Sequence, residues 1–489
     1  MLKKKFARLL AATVFLGNLF SVSPVNAELK NYDGQAEYIM SEFENLKVAK
    51  ERAKQKAMVN AQEQAGVYIS SYSKLKNFLL ADEEILAITN GILNLLEAHY
   101  KTTELPDANG FSIIAVVKVT INSDDIQKWL DKGVEQRSQM SNQVKELQKA
   151  MAEQDKQIAE LKKQLAQVKT KDDEEKITLD FEKADNVFLS NQKVEESNLY
   201  YDRNDYQTAI NLLNEAVKLN PDSAWAYKNL GNAYKELEKY PEALANYNKA
   251  IKLSPNFASA YNGRGNVYYH LGQLDKAFED YQKAVELDSN DAYVYNGRGN
   301  VYKDWGQYDK ALADYNKAIE LKNDYCSAYN GRGNVYSDTG QYDKALADYN
   351  KAIELKNDFH YAYNGRGNIY KNLGQYDKAL ADYNKAIELK NDYFYAYNGR
   401  GNVYSDTGKY DEAIADYKKT LELNPKYEYA CNGMGVVYYR QNDYKKAIEW
   451  YTKALKINPN YKLALKNRGN AYNIIGETAK AQSDWNNAK

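Results

Sequence analysis

Asparagine carries most of the binding chemistry in this chain. Two amides stand four residues apart at Asn262 and Asn266, and the pair returns at Asn296 and Asn300, Asn330 and Asn334, Asn364 and Asn368, and Asn398 and Asn402. Each amide holds donors and an acceptor together, so a ladder of them can pair with the backbone of an extended peptide whatever its side chains. A second pattern couples charges. Arg264, Arg298, Arg332, Arg366, Arg400 and Arg468 are each followed sixteen residues later by Asp280, Asp314, Asp348, Asp382, Asp416 and Asp484. Where the arginine is absent so is the aspartate: Leu230 goes with Asn246 and Met434 with Trp450. This co-occurrence predicts six charge-assisted Arg–Asp pairs with a structural role.

Catalytic chemistry is poorly served. His99, His270 and His360 are the only histidines and none has a metal-ligand spacing such as His-Glu-x-x-His. There is no Gly-x-x-x-x-Gly-Lys phosphate loop and no nucleophile elbow. The many carboxylates follow the repeat and read as solvated helix faces. No enzyme, cofactor or metal is expected. Lys and Arg number 66 against 67 Asp and Glu, a balance that supplies no basic field for nucleic acid. Cys326 and Cys431 occupy different repeat positions, which argues against a disulfide between them.

The elements that must position these residues recur every 34 residues. Measured on the Tyr-Asn-Gly-Arg-Gly-Asn element, the register runs through Tyr227, Tyr261, Tyr295, Tyr329, Tyr363, Tyr397, Cys431 and Leu465 without insertion. Small residues keep step at Gly231, Gly265 and their successors and at Ala243, Ala277 and theirs, with rings beside them from Tyr247 to Trp485. Small against large is how two helices interlock. Turn glycines fall at Gly272, Gly306, Gly340, Gly374, Gly408 and Gly476, with Asn204 and Asn442 as tolerable substitutes in a left-handed conformation.

This pattern resembles the tetratricopeptide repeat (TPR) family. The resemblance implies a mainly α chain, a right-handed TPR α-solenoid superhelix of stacked hairpins with a long groove. It also implies that positions two, five, nine, twelve and thirteen of each first helix face the concave side. The asparagine pairs then occupy positions five and nine, a double ladder flanked at position two by Trp225, Tyr293, Tyr361, Tyr395 and Tyr429. Such a groove is similar to the asparagine-lined superhelix of O-linked N-acetylglucosamine transferases, without their catalytic domain. The family's carboxylate clamp is not matched, since of its basic residues only Lys228 is suitably placed. The alternative is that these asparagines are helix-surface residues kept through recent duplication.

Ahead of the repeats, Lys3, Lys4, Lys5 and Arg8, an apolar run from Leu9 to Phe20 and Val25-Asn26-Ala27 read as a signal peptide, residues 1–27. A membrane anchor is the weaker reading, the run being short of the roughly 20 residues needed to span a bilayer. Residues 28–125 read as a small α+β domain, with Ala49, Ala53, Ala57, Ala61 and Ala65 striping one long helix. Strands are expected at Val67–Ser70 and Ser112–Ile121, and a helix from about Asp82 to Leu96. The stretch Ala53–Asn77, followed by Asp82-Glu83-Glu84-Ile85, resembles an envelope domain of small outer-membrane lipoproteins and of the N-terminal part of the flagellar protein FlgT. That implies a periplasmic or cell-surface setting.

Residues 126–169 read as a coiled coil, its seam running Met140, Val144, Leu147, Met151, Gln154, Ile158, Leu161, Leu165 and Val168. The seam favours a parallel homo-oligomer, or else one helix lying on the adjacent domain. Residues 170–189 read as a charged linker, Lys169 to Lys176, with a lead-in helix from about Leu179. Residues 190–489 hold nine repeats, the first and last atypical. The function expected is an exported scaffold gripping an extended peptide segment of a partner protein. A structural spacer or glycan-binding envelope protein is the alternative. No nucleic-acid partner is expected, nor a membrane span after signal removal.

Overall fold

The computed structural model describes residues 29–41, 44–75, 93–105, 110–130, 155–168 and 170–489, with single positions at 85, 89, 152 and 153. The signal segment and the heptad seam from Met140 to Met151 lie outside them, as does Gln154. The chain divides into two compact units, Met1–Lys132 and Gly133–Lys489.

In the first unit, β1 (Leu29–Ser41), β2 (Asn94–Glu104) and β3 (Gly110–Asn122) form an antiparallel sheet in the order β1-β3-β2. The helix α1 (Leu46–Leu75) lies across it, and its alanine stripe is fully buried against Tyr38, Ile113, Ala115 and Val117. Alanine permits a close crossing. A methyl on Gly34 would sit 2.0 Å from the Ala57 carbonyl oxygen, so that glycine is obligatory.

Val67–Ser70 is not a strand. It is the continuation of α1, because Ile69 falls four residues after Ala65 and extends the buried stripe by one turn. Period outweighs β-branched propensity here. Residues 94–96 belong to β2 rather than to the end of a helix. That strand has a register shift between Leu95 and Glu97, and Leu95 and Leu96 are both exposed, which hides its alternation.

The second unit is an α-solenoid. A helical segment at 155–165 precedes it, and the seam residues Ile158 and Leu161 are buried within the single chain. The charged run after Lys169 is not a linker but the opening of α2 (Lys171–Asp202). Thr170 caps that helix by accepting from the Asp173 amide at 3.2 Å, and Asp172, Asp173 and Glu174 complement the helix dipole.

The end of α2 pairs with α3 (Tyr206–Leu219), and eight further hairpins follow to Asn487, nine among the described residues. Second helices such as Tyr342–Leu355 carry an alanine and a fully buried tyrosine on the inner side. From Tyr247 to Tyr417 each of those tyrosines is wedged between the glycine of its own first helix and one on the next repeat, as Tyr349 is between Gly333 and Gly365. The six turn glycines have φ between 70° and 85°, and Asn204 and Asn442 adopt the same region. Glu238 does too, at φ 56°, where a left-handed residue was not expected.

Candidate peptide-binding groove

The two asparagine rows have different duties. At position nine, Asn266, Asn300, Asn334, Asn368 and Asn402 accept hydrogen bonds through Oδ1 from the buried hydroxyls of Tyr281, Tyr315, Tyr349, Tyr383 and Tyr417, at 2.7–2.8 Å. Burial pushes each of those phenols far above its ordinary pKa, so each remains a donor. Trp485 Nε1 makes the equivalent bond to Asn470. The asparagine and tyrosine stand fifteen residues apart in every case, a coupling that was legible in the sequence and is structural.

At position five, Asn262, Asn296, Asn330, Asn364 and Asn398 hold Oδ1 buried without a donor. A buried acceptor left unpaired costs about 1–3 kcal/mol. It recurs in five successive repeats, a row of acceptors with no donor from the chain itself. The side chains are mostly half-buried, and Asn330, Asn364 and Asn398 line shallow concavities between successive first helices. One, of about 420 Å³, is walled by Asn330, Asn334, Asn364 and Asn368 under Tyr361 and Tyr395. Another, of about 370 Å³, uses Asn398, Asn402 and Asn432 under Tyr429.

The flanking rings form a rail. Tyr361, Tyr395 and Tyr429 are 44%, 46% and 50% exposed. Between them stand the residues that precede each first helix, so Phe359, Tyr361, Tyr393, Tyr395, Tyr427, Tyr429 and Tyr461 succeed one another at centroid distances of 5.2–5.7 Å. His360 joins at 4.0 Å from Tyr361; burial and the nearby Lys390 and Lys356 push its pKa down to about 4, so it is neutral near pH 7. Tyr293 is half-buried against Tyr325, and Trp225 against Phe257. Reading position two alone missed the intervening rings.

All six arginines lie on their aspartates. Nε and Nη2 donate to the two carboxylate oxygens at 2.6–2.8 Å in every pair, and the aspartates are buried. A third bond crosses to the preceding repeat. Nη1 of Arg264, Arg332, Arg366 and Arg400 donates to Asn248, Asn316, Asn350 and Asn384 at 2.5–2.7 Å. At Arg468 the acceptor is Thr452. These groups pin hairpins together.

Lys228, at position five of an earlier repeat, is only 4% exposed, with its ammonium 4.5 Å from the Trp225 ring centroid. The ring favours the cation, yet desolvation prevails and pushes the pKa down to about 7. In the unfolded chain the lysine stays protonated to about pH 10.4. The burial penalty is therefore fully present below pH 7 and is relieved as pH rises from there toward the unfolded value. Lys228→Met should stabilise the protein at pH 6, by at most about 5 kcal/mol, and flatten the rise in stability between pH 7 and 9. Urea denaturation at pH 6 and 9 measures both; an unchanged slope would refute the assignment.

Among the described residues no cluster of His, Cys, Asp and Glu could hold a metal ion, and no helix is long and apolar enough to cross a membrane. Cys326 and Cys431 are buried and form no disulfide among the described residues.

Comparison with known families places repeats along most of this unit. Six overlapping segments from 198 to 408 match the family described as TPR repeat, while 394–427, 428–461 and 450–483 match families described as tetratricopeptide repeat. No curated protein matches the chain. Among solved structures, YrrB, described as a TPR protein with an unusual peptide-binding site, is 30% identical over 38% of this chain and 97% of its own, with a TM-score of 0.30. Cut9-Hcn1, an APC/C hetero-tetramer, is 15% identical over 60% of this chain and 63% of its own, with a TM-score of 0.51, a likeness of fold alone. A tetratricopeptide repeat protein from Parabacteroides merdae is 23% identical over 51% and 98%, with a TM-score of 0.43.

Proposed function

This chain belongs to the tetratricopeptide repeat family through residues 198–483, and on that premise we propose that it is an exported scaffold whose groove grips an extended segment of a partner protein. The observation that carries the reading is the row of position-five asparagines with unpaired buried oxygens. Rotation about χ2, a soft torsion for an amide, turns each oxygen toward the groove, where a peptide N–H satisfies it. The position-nine asparagines, their oxygens already bound, keep Nδ2 to donate to peptide carbonyls. One row accepts and the other donates, which suits a main chain offering both groups.

The signal-like N-terminus, and the resemblance of the α1 region to envelope domains, support action in the periplasm or at the cell surface, in envelope assembly. Ile158 and Leu161 are already buried in the single chain; it is the rest of the heptad pattern that supports self-association, which would raise avidity by multivalency.

The two rows separate under mutation. In the full-length protein, Asn330→Ala with Asn364→Ala should leave stability unchanged or raise it by about 1 kcal/mol per site, since each removes an unpaired acceptor. The same pair should weaken partner capture about 10–100-fold, the equivalent of two lost hydrogen bonds. Asn334→Ala should instead destabilise, because it strips Tyr349 of its acceptor. A cross-linked pull-down from envelope extract beside thermal melts reads all three. An unchanged set of partners, or retention of polysaccharide alone, supports the spacer or glycan-binding alternative, which the exposed tyrosine rail favours.

A further inference from the structure

The two concavities in the groove occupy equivalent positions two repeats apart, and they differ in charge. At position twelve the first has Lys303 and the second Lys371. The residue after Lys303 is Asp304, and its carboxylate lies 3.1 Å from the Lys303 ammonium. The residue after Lys371 is Asn372. Lys371 makes no hydrogen bond or ion pair among the described residues.

The one carboxylate facing Lys371 within its concavity, Asp406, is held by another cation. Arg440 donates to Asp406 at 3.0 Å, and its other nitrogen reaches the Ser405 carbonyl. Lys371 is half-buried, and burial pushes its pKa down while Asp406 pulls it up. Around it stand Asn398, Asn402, Ser405 and the Tyr429 ring. Lys371 in the concavity and the Arg440 that binds its Asp406 together exceed that carboxylate by one positive charge. In the counterpart, Lys303 meets the lining Asp338 and its own partner Asp304, one negative charge in excess.

We propose that the concavity at Lys371 is a subsite for the carboxylate of an aspartate or glutamate side chain in the bound peptide. This rests on the groove reading above and adds the chemistry of its ligand. A single ammonium, with the Arg440 fork already committed to Asp406 and Ser405, suits a monovalent carboxylate better than a phosphate dianion, which would also face Asp406. The counterpart concavity at Lys303 repels an acid. An acidic residue in the peptide therefore sets the register in which it lies along the solenoid.

The test pans the full-length protein against a phage-displayed random dodecapeptide library, with wild type, Lys371→Met and Asn372→Asp in parallel. Asn372 is exposed, and Asn372→Asp gives Lys371 the intrarepeat partner that Lys303 has. Wild type should enrich peptides sharing one acidic position. A synthesised wild-type binder should lose about tenfold in affinity or more toward both variants. Its Gln analogue should bind all three proteins alike. Binders without a shared acidic position, or an acidic preference that survives both substitutions, overturn the subsite and leave the groove standing. Failure of wild type to enrich any peptide overturns the groove reading and the subsite with it.

Discussion

Arg332→Met should destabilise the solenoid by about 3–5 kcal/mol, and adding Asp348→Trp should recover most of that loss. The single substitution leaves Asp348 buried with neither of the nitrogens that donate to it at 2.7 and 2.8 Å, and leaves Asn316 on the preceding repeat without its donor. An uncompensated buried charge costs far more than the intact pair contributes, so the loss measures desolvation rather than the worth of the bond. The double substitution copies a solution the chain already uses. Where Met434 replaces the arginine, Trp450 replaces the aspartate, and the two lie in one apolar cluster with Tyr417 and Val437. Urea denaturation followed by circular dichroism measures both variants. Equal losses in the single and double variants would show that Asp348 does not depend on Arg332.

That pairing was readable because two residue types change together, a signal that survives without any knowledge of distance. The helix ends were readable for a similar reason: a left-handed turn restricts residue type, and glycine or asparagine marks most of them. The duty of the position-nine asparagines was harder to see. An amide facing a groove and an amide holding a buried phenol have the same helical spacing, and only the tyrosine fifteen residues away distinguishes them. The rail escaped because it is assembled from two positions per repeat, one on the helix and one just before it, which meet only when hairpins stack. The β-branched composition of Val67–Ser70 suggests a strand, and the four-residue step from Ala65 to Ile69 overrides it. The third bond of Arg264, Arg332, Arg366 and Arg400, to Asn248, Asn316, Asn350 and Asn384, also has a fixed spacing of sixteen residues upstream, but it joins two repeats and is hidden from a pattern confined to one.

Because each hairpin contacts mainly its neighbours, loss of a central wedge should divide the solenoid rather than weaken it evenly. Tyr349→Ala removes a ring that is fully buried between Gly333 and Gly365 and leaves Asn334 without its donor. The expected cost is about 3–5 kcal/mol. Unfolding should separate into two transitions, with amide exchange accelerating first around Tyr342–Leu355 and the adjoining first helices. Gly365→Ala examines the same wedge from the other side. In an open helix that change stabilises by roughly 0.5–1 kcal/mol, because alanine loses less backbone entropy. Here the new methyl would lie 2.6 Å from two carbons of the Tyr349 ring. The ring has nowhere to retreat, since Gly333 limits its other side and the hydroxyl is tied to Asn334 at 2.7 Å. The sign of the effect should therefore reverse to a loss. A Gly365→Ala protein that melts higher than wild type would mean that the tyrosines fill space between hairpins without setting their distance, and the arrangement of the groove would need another cause.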